Sequence, residues 1–103
     1  MVNNITTEEA KNLISEMDDL VIIDVRTAPE VERGKITGSI NIPLDIFTRE
    51  LGKISKAKSV LVYCLSGSRS AIAAGILEEQ GYTRVYNLSN GLLGWRMKQF
   101  PLE

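Results

Sequence analysis

One stretch decides the fold: Ser59-Val-Leu-Val-Tyr-Cys64-Leu-Ser-Gly-Ser-Arg69-Ser-Ala-Ile-Ala-Ala-Gly-Ile-Leu77. Residues 59 to 63 form a short run rich in β-branched side chains without alternating polarity, which predicts a strand buried on both faces of a parallel sheet. From Arg69 the apolar residues recur with a helical period, and we expect this helix to end before Gly81. The stripe expected to pack on the sheet consists of Ile72, Ala73, Ile76 and Leu77.

Cys64, the only cysteine, falls between the predicted strand and the predicted helix. Ligands of open α/β sheets collect at the carboxyl ends of the strands, where a helix N-terminus presents unpaired N–H groups to an anion. Residues 65 to 68 contain no acidic group, Gly67 allows successive N–H groups to turn inward, and Arg69 adds a positive charge. Such surroundings lower a thiol pKa and favour a nucleophilic thiolate. The alternative is an inert cysteine in the core.

Composition excludes several classes of protein. The chain has no histidine, which excludes a Cys-His protease and argues against a His-rich zinc site, so no metal and no cofactor are expected. Twelve basic and 13 acidic residues give a net charge of −1, which favours neither nucleic acid nor a membrane as a partner. With 103 residues, one cysteine and no long apolar segment, we expect a single domain over residues 1–103 in the cytoplasm.

The first third of the chain predicts two strands around a helix. Ile5 is expected to begin a short strand, and a capping box at Thr6 to begin a helix that ends near Asp18-Asp19. Residues 20 to 23 read as a second buried strand, which places Asp24 and Arg26 at its carboxyl end. Asp24 either caps a turn or braces the Cys64 site, and Arg26 is either a surface cation or part of the same brace.

The remaining segments continue the alternation of strand and helix. Pro29 can start a short helix, and residues 39 to 42 predict a short strand. Residues 43 to 54 predict another helix, whose far side is basic and expected to be solvated (Arg49, Lys53, Lys56 and Lys58). Residues 84 to 88 predict a final strand, followed by a helix, capped by Ser89 or Asn90, with Trp95 in the core. This alternation is typical of a parallel α/β sandwich.

Several ordered motifs resemble the rhodanese domain family. They are Asp24-Val-Arg26, Glu30, Gly34-x-Ile36-x-Gly38-Ser-x-Asn41-Ile-Pro43, Cys64-x-x-Gly67-x-Arg69-Ser70 and Asn87-Leu-x-x-Gly91-x-x-x-Trp95. The resemblance covers nearly the whole chain. It implies an α/β fold: a three-layer α/β/α sandwich with a five-stranded parallel sheet.

The resemblance also implies a chemistry. Cys64 matches the cysteine that takes a sulfane sulfur from a donor such as thiosulfate or a persulfide, becomes a persulfide itself, and passes the sulfur to cyanide, a thiol or a thiol-carrying protein. The backbone of Leu65, Ser66, Gly67, Ser68 and Arg69 would hold the outer sulfur, Arg69 would stabilise the loop or its anionic contents, and Asp24 would brace the loop from the neighbouring strand.

Two alternatives stay open. The first alternative is a phosphatase or arsenate reductase; such enzymes carry a Cys-x5-Arg motif, whereas the spacing from Cys64 to Arg69 is Cys-x4-Arg, and this shorter loop favours the transfer of a sulfur atom over that of a phosphate. The second alternative is a non-catalytic module that only binds a partner or relays sulfur. Lys35 stands where many relatives have histidine, and Leu65 where some thiosulfate-using members have a basic residue, so the donor is open between thiosulfate and a protein or small-molecule persulfide.

Overall fold

A computed structural model describes all 103 residues as a parallel sheet with helices on both faces. The strands are β1 (Val2–Ile5), β2 (Val21–Asp24), β3 (Ile40–Asn41), β4 (Val60–Tyr63) and β5 (Val85–Leu88). The helices are α1 (Thr7–Glu16), α2 (Ala28–Glu32), α3 (Phe47–Glu50), α4 (Ser68–Glu79) and α5 (Gly91–Met97). Short 3-10 turns, Leu44–Ile46 and Leu51–Lys53, flank α3. The three-layer α/β/α architecture with five parallel strands is confirmed.

The sheet order, β1-β5-β4-β2-β3, places β4 in the centre. Val60 lies opposite Val21 of β2 and Val85 of β5, so the three strands start level with one another. All four residues of β4 are buried, as the unbroken apolar run predicts. Strands that start level also end level, and Cys64 therefore follows β4 at the same sheet edge as the end of β2.

Two apolar cores cover the faces of the sheet. Phe47 and Leu51 from the α3 region and Ala73 and Leu77 from α4 pack on one face. The other face is covered by α1 and α5, and Trp95, 2% exposed, lies in that core as predicted. The fold thereby holds the carboxyl ends of the strands between two layers of helices.

The apolar stripe predicted for α4 is partly wrong. Ile72 is 58% exposed, whereas Ala73, Ala74 and Leu77 are fully buried. The helix turns its small alanines toward the sheet, which lets its backbone lie close to β4 and β5, and Ile72 is consequently rotated by about 100° away from Ala73. The predicted packing of Ile72 on the sheet is corrected to an exposed position.

Three predicted boundaries also differ from the structure. Ile5 ends β1 rather than beginning it, because Asn3 and Asn4 interrupt the apolar pattern of this exposed edge strand. The capping box at Thr6 is present, but α1 stops at Glu16, before Asp18-Asp19. The segment 43 to 54 is not one helix, because the backbone leaves the α conformation at Ile46 (φ −114°, ψ 10°), although Phe47 and Leu51 still face the core.

Candidate functional site

Cys64 is held at the bottom of a short loop between β4 and α4. Its side chain is fully buried, whereas Ser66 and Ser68 are exposed and Leu65 is half-buried. Gly67 is the residue before the helix and has φ +101°, a conformation that L side chains rarely adopt. This turn lets α4 begin directly above the cysteine and directs its first N–H groups toward the sulfur.

Hydrogen-bonding groups converge on Cys64 Sγ. The backbone N–H of Gly67 donates to it over 3.1 Å, and the backbone N–H of Ser70 over 3.4 Å. The hydroxyl of Ser70 lies 3.4 Å from Sγ, where it accepts from the thiol and in turn donates to the carbonyl oxygen of Gly67. When the thiol loses its proton, the same hydroxyl can turn and donate to the sulfur.

These donors outweigh the effect of burial on the thiol. Burial by itself raises the pKa of Cys64, but the Ser70 hydroxyl and the backbone N–H groups of Ser70, Gly67 and Ser66 together bring that pKa below its ordinary value. A negative charge on the sulfur is therefore favoured inside this loop. Of the loop residues 65 to 68, Gly67 and Ser66 contribute N–H groups, and Ser70, which the sequence gave only as part of a motif, adds its own N–H and its hydroxyl.

Two glycines hold the loop against the next helix. A Cβ atom at Gly67 would lie 2.2 Å from the carbonyl oxygen of Ser89, and one at Gly91 (φ +56°) would lie 2.4 Å from the carbonyl oxygen of Leu65. At the start of α5, the N–H of Leu92 donates to the carbonyl oxygen of Cys64 (2.9 Å), and the N–H of Leu93 to that of Leu65 (3.1 Å). Because only glycine fits at these contacts, the β5–α5 turn fixes the loop from one side.

Arg69 does not reach the sulfur in this structure but pairs with Glu30. Its Nη1 and Nη2 lie 2.8 and 3.0 Å from the two carboxylate oxygens, an end-to-end bidentate pair. The hydrogen bonds from Arg69 lower the pKa of Glu30 to about 2, and the carboxylate in turn raises the pKa of Arg69. Arg69 thus ties the start of α4 to α2. The sequence alone does not reveal this pair, because nothing in a linear pattern links residues 39 positions apart.

Asp24 and Arg26 form a second, buried pair. Arg26 Nη2 lies 2.6 Å from Asp24 Oδ2, and the side chains are 2% and 0% exposed, so the surface-cation interpretation of Arg26 is wrong. Asp24 also accepts from the backbone N–H of Arg26 (3.0 Å), as a turn cap does. Arg26 donates further to the carbonyl oxygens of Glu30 (3.2 Å) and Gly34 (2.8 Å). No hydrogen bond joins Asp24 to the loop. Any bracing runs through Arg26 and α2 to the pair of Glu30 with Arg69.

Asn87 supports the loop from β5. Its Nδ2 donates to Asn4 Oδ1 (3.0 Å) and lies 3.4 Å from the carbonyl oxygen of Gly67. Its Oδ1 is buried and has no hydrogen-bond partner. A buried amide with an unsatisfied oxygen is costly, which is typical of a residue kept for its position rather than for stability.

Three shallow cavities surround the loop. One of about 380 Å³ lies beside Arg69 and is lined also by Val25, Thr27, Pro43, Leu44 and Asp45. A second, of about 300 Å³, lies beside Ser66 and is lined also by Asn90, Leu93, Gly94 and Met97. A third, of about 180 Å³, includes Leu65. The loop is therefore approachable from several sides, although Cys64 itself is covered.

Comparison with known proteins assigns this architecture to a family. Residues 6–98 match the model of the rhodanese-like domain, and the chain belongs to that family. A sulfurtransferase of Allochromatium vinosum is 33% identical, the match covering 99% of this chain and 95% of that protein. A putative sulfur carrier protein, YrkF of Bacillus subtilis, is 30% identical over 94% of this chain and 52% of its own length. The crystal structure of a rhodanese-related protein from Thermoplasma volcanium superposes with a TM-score of 0.88 at 27% identity, covering 98% of this chain and 97% of that one.

These relatives connect the family to sulfur transfer. Besides the sulfurtransferase of Allochromatium vinosum, a homologue of nearly the same length, YtwF of Bacillus subtilis, is named a putative sulfurtransferase, and these names support a rhodanese-like enzyme family. None of its helices combines the length and the apolar character that a membrane-spanning helix requires.

Proposed function

We propose that the chain is a sulfurtransferase that moves one sulfane sulfur through a persulfide on Cys64. The observation that carries the proposal is the convergence of the Gly67 and Ser70 N–H groups and the Ser70 hydroxyl on one sulfur atom, within 3.1 to 3.4 Å. Such a set of donors stabilises a thiolate before the reaction and an anionic persulfide after it. The free thiol suits a reducing compartment, and we place the reaction in the cytoplasm.

The first half-reaction loads the cysteine. The Cys64 thiolate attacks the outer sulfur of the donor, a bond forms between Sγ and that sulfur, and the bond from that sulfur to the donor breaks with its electron pair. With thiosulfate the leaving group is sulfite, and with an organic persulfide it is a thiolate. Because Cys64 is fully covered, the loop has to open far enough for a single sulfur atom to reach Sγ.

The second half-reaction releases the sulfur. The acceptor, cyanide or a thiolate, attacks the outer sulfur of the Cys64 persulfide and displaces the cysteine as a thiolate. The inward-facing N–H groups lower the energy of that leaving thiolate, so the same contacts serve both halves of the cycle. No external oxidant or reductant is needed, because each step exchanges one sulfur–sulfur bond for another bond to the same sulfur.

The geometry speaks against phosphate chemistry as the main activity. A phosphate needs a wide loop and an arginine free to bind two of its oxygens. The loop here has four residues between Cys64 and Arg69, and both terminal nitrogens of Arg69 are already bound to Glu30. A transferred sulfur needs only the N–H groups and not the guanidinium.

The test compares turnover of sulfur and phosphate substrates. We expect thiocyanate to form from cyanide with thiosulfate or an organic persulfide as the donor, and Cys64→Ser to abolish it while keeping the fold, since the two side chains are close in volume. Gly75→Ala is the matched control, because nothing lies within 4 Å of a Cβ at that position. Thiocyanate formation that survives in Cys64→Ser would refute the mechanism, and hydrolysis of an aryl phosphate dependent on Cys64, without thiocyanate, would replace it by a phosphatase. Stoichiometric loading without turnover would indicate a sulfur relay.

A further inference from the structure

The carbonyl oxygen of Gly67 has more hydrogen-bond donors around it than it needs. The N–H of Ala71, in the first turn of α4, donates to it over 3.1 Å, and the hydroxyl of Ser70 donates over 3.2 Å. The side-chain Nδ2 of Asn87 is a third donor, at 3.4 Å. A carbonyl oxygen has two lone pairs, so one of the three donors can leave without depriving the oxygen of partners.

Ser70 is the donor that has a second use. Its hydroxyl carries a single proton, which points to the Gly67 oxygen while the hydroxyl oxygen lies 3.4 Å from Cys64 Sγ. When the thiol releases its own proton to solvent, the hydroxyl stabilises the sulfur only by turning its proton from the Gly67 oxygen to Sγ. That turn breaks the hydrogen bond between Ser70 and Gly67.

Asn87 is placed to keep the Gly67 oxygen hydrogen-bonded after the turn. It lies opposite Val62 of β4, and its side chain is 3% exposed. The groups that accept from its Nδ2 are Asn4 Oδ1 and the Gly67 carbonyl, and a backbone carbonyl offers only an oxygen. The amide is therefore fixed with Nδ2 toward the loop, although this leaves its buried Oδ1 without a partner.

We propose that Asn87 is a positioning residue for the sulfur chemistry: its amide holds the carbonyl oxygen of Gly67 and so frees the Ser70 hydroxyl to turn to the sulfur. The inference rests on the proposed function, because it concerns the same sulfur atom. No hydrogen bond joins Asn87 to Sγ, and the effect passes through Gly67 and Ser70. Without the amide, the Gly67 oxygen would hold the hydroxyl more firmly, the thiolate would be less stable, and the pKa of Cys64 would rise.

The first test is a pH titration of Asn87→Leu, followed by the ultraviolet absorbance of the thiolate. Cys64 is the only cysteine, so the signal reports one group, and Cys64→Ser supplies the blank. We expect the midpoint to move upward in pH, by less than in Ser70→Ala, because the amide acts only through the hydroxyl. The free energy of unfolding should stay the same or rise, because leucine has a similar size and removes the unpaired Oδ1.

Asn3→Leu is the matched control. The Nδ2 of Asn3 also lies 3.4 Å from a backbone carbonyl oxygen, that of Val85, so the same substitution removes a contact of equal length away from the loop. The midpoint should not move in this variant. The two charged pairs around the loop are altered by none of these substitutions; they are Arg69 with Glu30 and Arg26 with Asp24.

The second test repeats Asn87→Leu in a chain that already carries Ser70→Ala. With no hydroxyl left to turn, the substitution at Asn87 should shift the midpoint no further, whereas a merely structural role would give the same shift in both backgrounds. If the leucine variant does not fold, Asn87→Ala serves for the same comparison. An unshifted midpoint in the single variant, or an undiminished shift without the hydroxyl, would overturn the proposal.

These titrations need no sulfur donor, so they separate this inference from the proposed function. A natural protein that forms no persulfide would refute the sulfurtransferase and leave the titration result standing. Coincident titration curves would refute the role of Asn87 even in an active sulfurtransferase. In an active enzyme, the rise of kcat/KM with pH should move upward in Asn87→Leu by the same amount as the thiolate signal.

Discussion

Replacing Gly67 by alanine tests how the loop is built. Gly67 has φ +101°, where an L side chain costs about 1–2 kcal/mol. The new Cβ would also lie 2.2 Å from the carbonyl oxygen of Ser89, so the loop or the β5–α5 turn must move, which adds about 1–3 kcal/mol. Together these effects should lower the free energy of unfolding by about 2–5 kcal/mol. At roughly 4–8 °C per kcal/mol in a domain of this size, Tm should fall by roughly 10 °C or more.

The same substitution should destabilise the Cys64 thiolate. The N–H of Gly67 makes the shortest hydrogen bond to Sγ, at 3.1 Å, and a displaced loop would lengthen or break that hydrogen bond. The pKa of Cys64 should then rise, because burial remains while a compensating hydrogen bond is lost.

The assay combines thermal unfolding with the rate of iodoacetamide alkylation of Cys64 as a function of pH. Gly75→Ala is the control within the same helix: its Cβ meets nothing within 4 Å, and it should gain about 0.5–1 kcal/mol in stability. If Gly67→Ala melts with the natural protein and its alkylation midpoint does not move, the close approach to Ser89 and the donor role of the Gly67 N–H are both wrong.

Three further substitutions probe the groups around the loop. Ser70→Ala should raise the pKa of Cys64, because the hydrogen bond from the hydroxyl to the charged sulfur is lost, and the alkylation profile should shift upward in pH; an unshifted profile would mean that the hydroxyl does not act on the thiolate. Glu30→Gln should lower the free energy of unfolding by about 0.5–1 kcal/mol at neutral pH. Since the pKa of Glu30 is lowered from 4.5 to about 2 in the folded state, this difference from the natural protein should be fully present above pH 4.5 and shrink as the pH falls toward 2. Chemical unfolding measures the difference at each pH, and a difference that persists at pH 2 would contradict the pairing. Arg26→Met should destabilise the fold by about 3–5 kcal/mol, because it leaves Asp24 buried without its partner; a loss below about 1 kcal/mol in urea unfolding would mean that water reaches the carboxylate.

The sequence predicts the centre of the fold better than its edges. The run Val60–Tyr63 is apolar on both faces, and the same holds for Ile22 and Ile23 in β2, so neither strand reads as anything but buried. At the edge of the sheet, Asn3 and Asn4 are exposed to solvent, and because they are polar the sequence does not predict that β1 includes them. The prediction that Ile72 packs on the sheet is wrong because a helix containing several alanines can turn more than one of its faces to a sheet, and periodicity alone does not choose between those faces.

The candidate site follows the same division between local and distant information. The Cys64 loop and its N–H groups could be predicted, because a strand, a glycine and a helix start adjoin one another in the chain. The pairing of Arg69 with Glu30 could not be predicted, since the sequence places Arg69 beside Cys64 but does not show that the strand order brings α2 beside α4. Gly91 is similar: its role is to leave room for the carbonyl oxygen of Leu65, a contact that exists only after folding.

The measurement that tests the central claim most directly is the intact mass of the protein after incubation with a sulfur donor and again after cyanide. The account predicts a gain equal to one sulfur atom, located on Cys64 by peptide mapping, lost on adding cyanide with thiocyanate formed, and absent in Cys64→Ser. An unchanged mass with thiosulfate and with organic persulfides alike, in a folded protein whose thiol is reduced, would contradict the account.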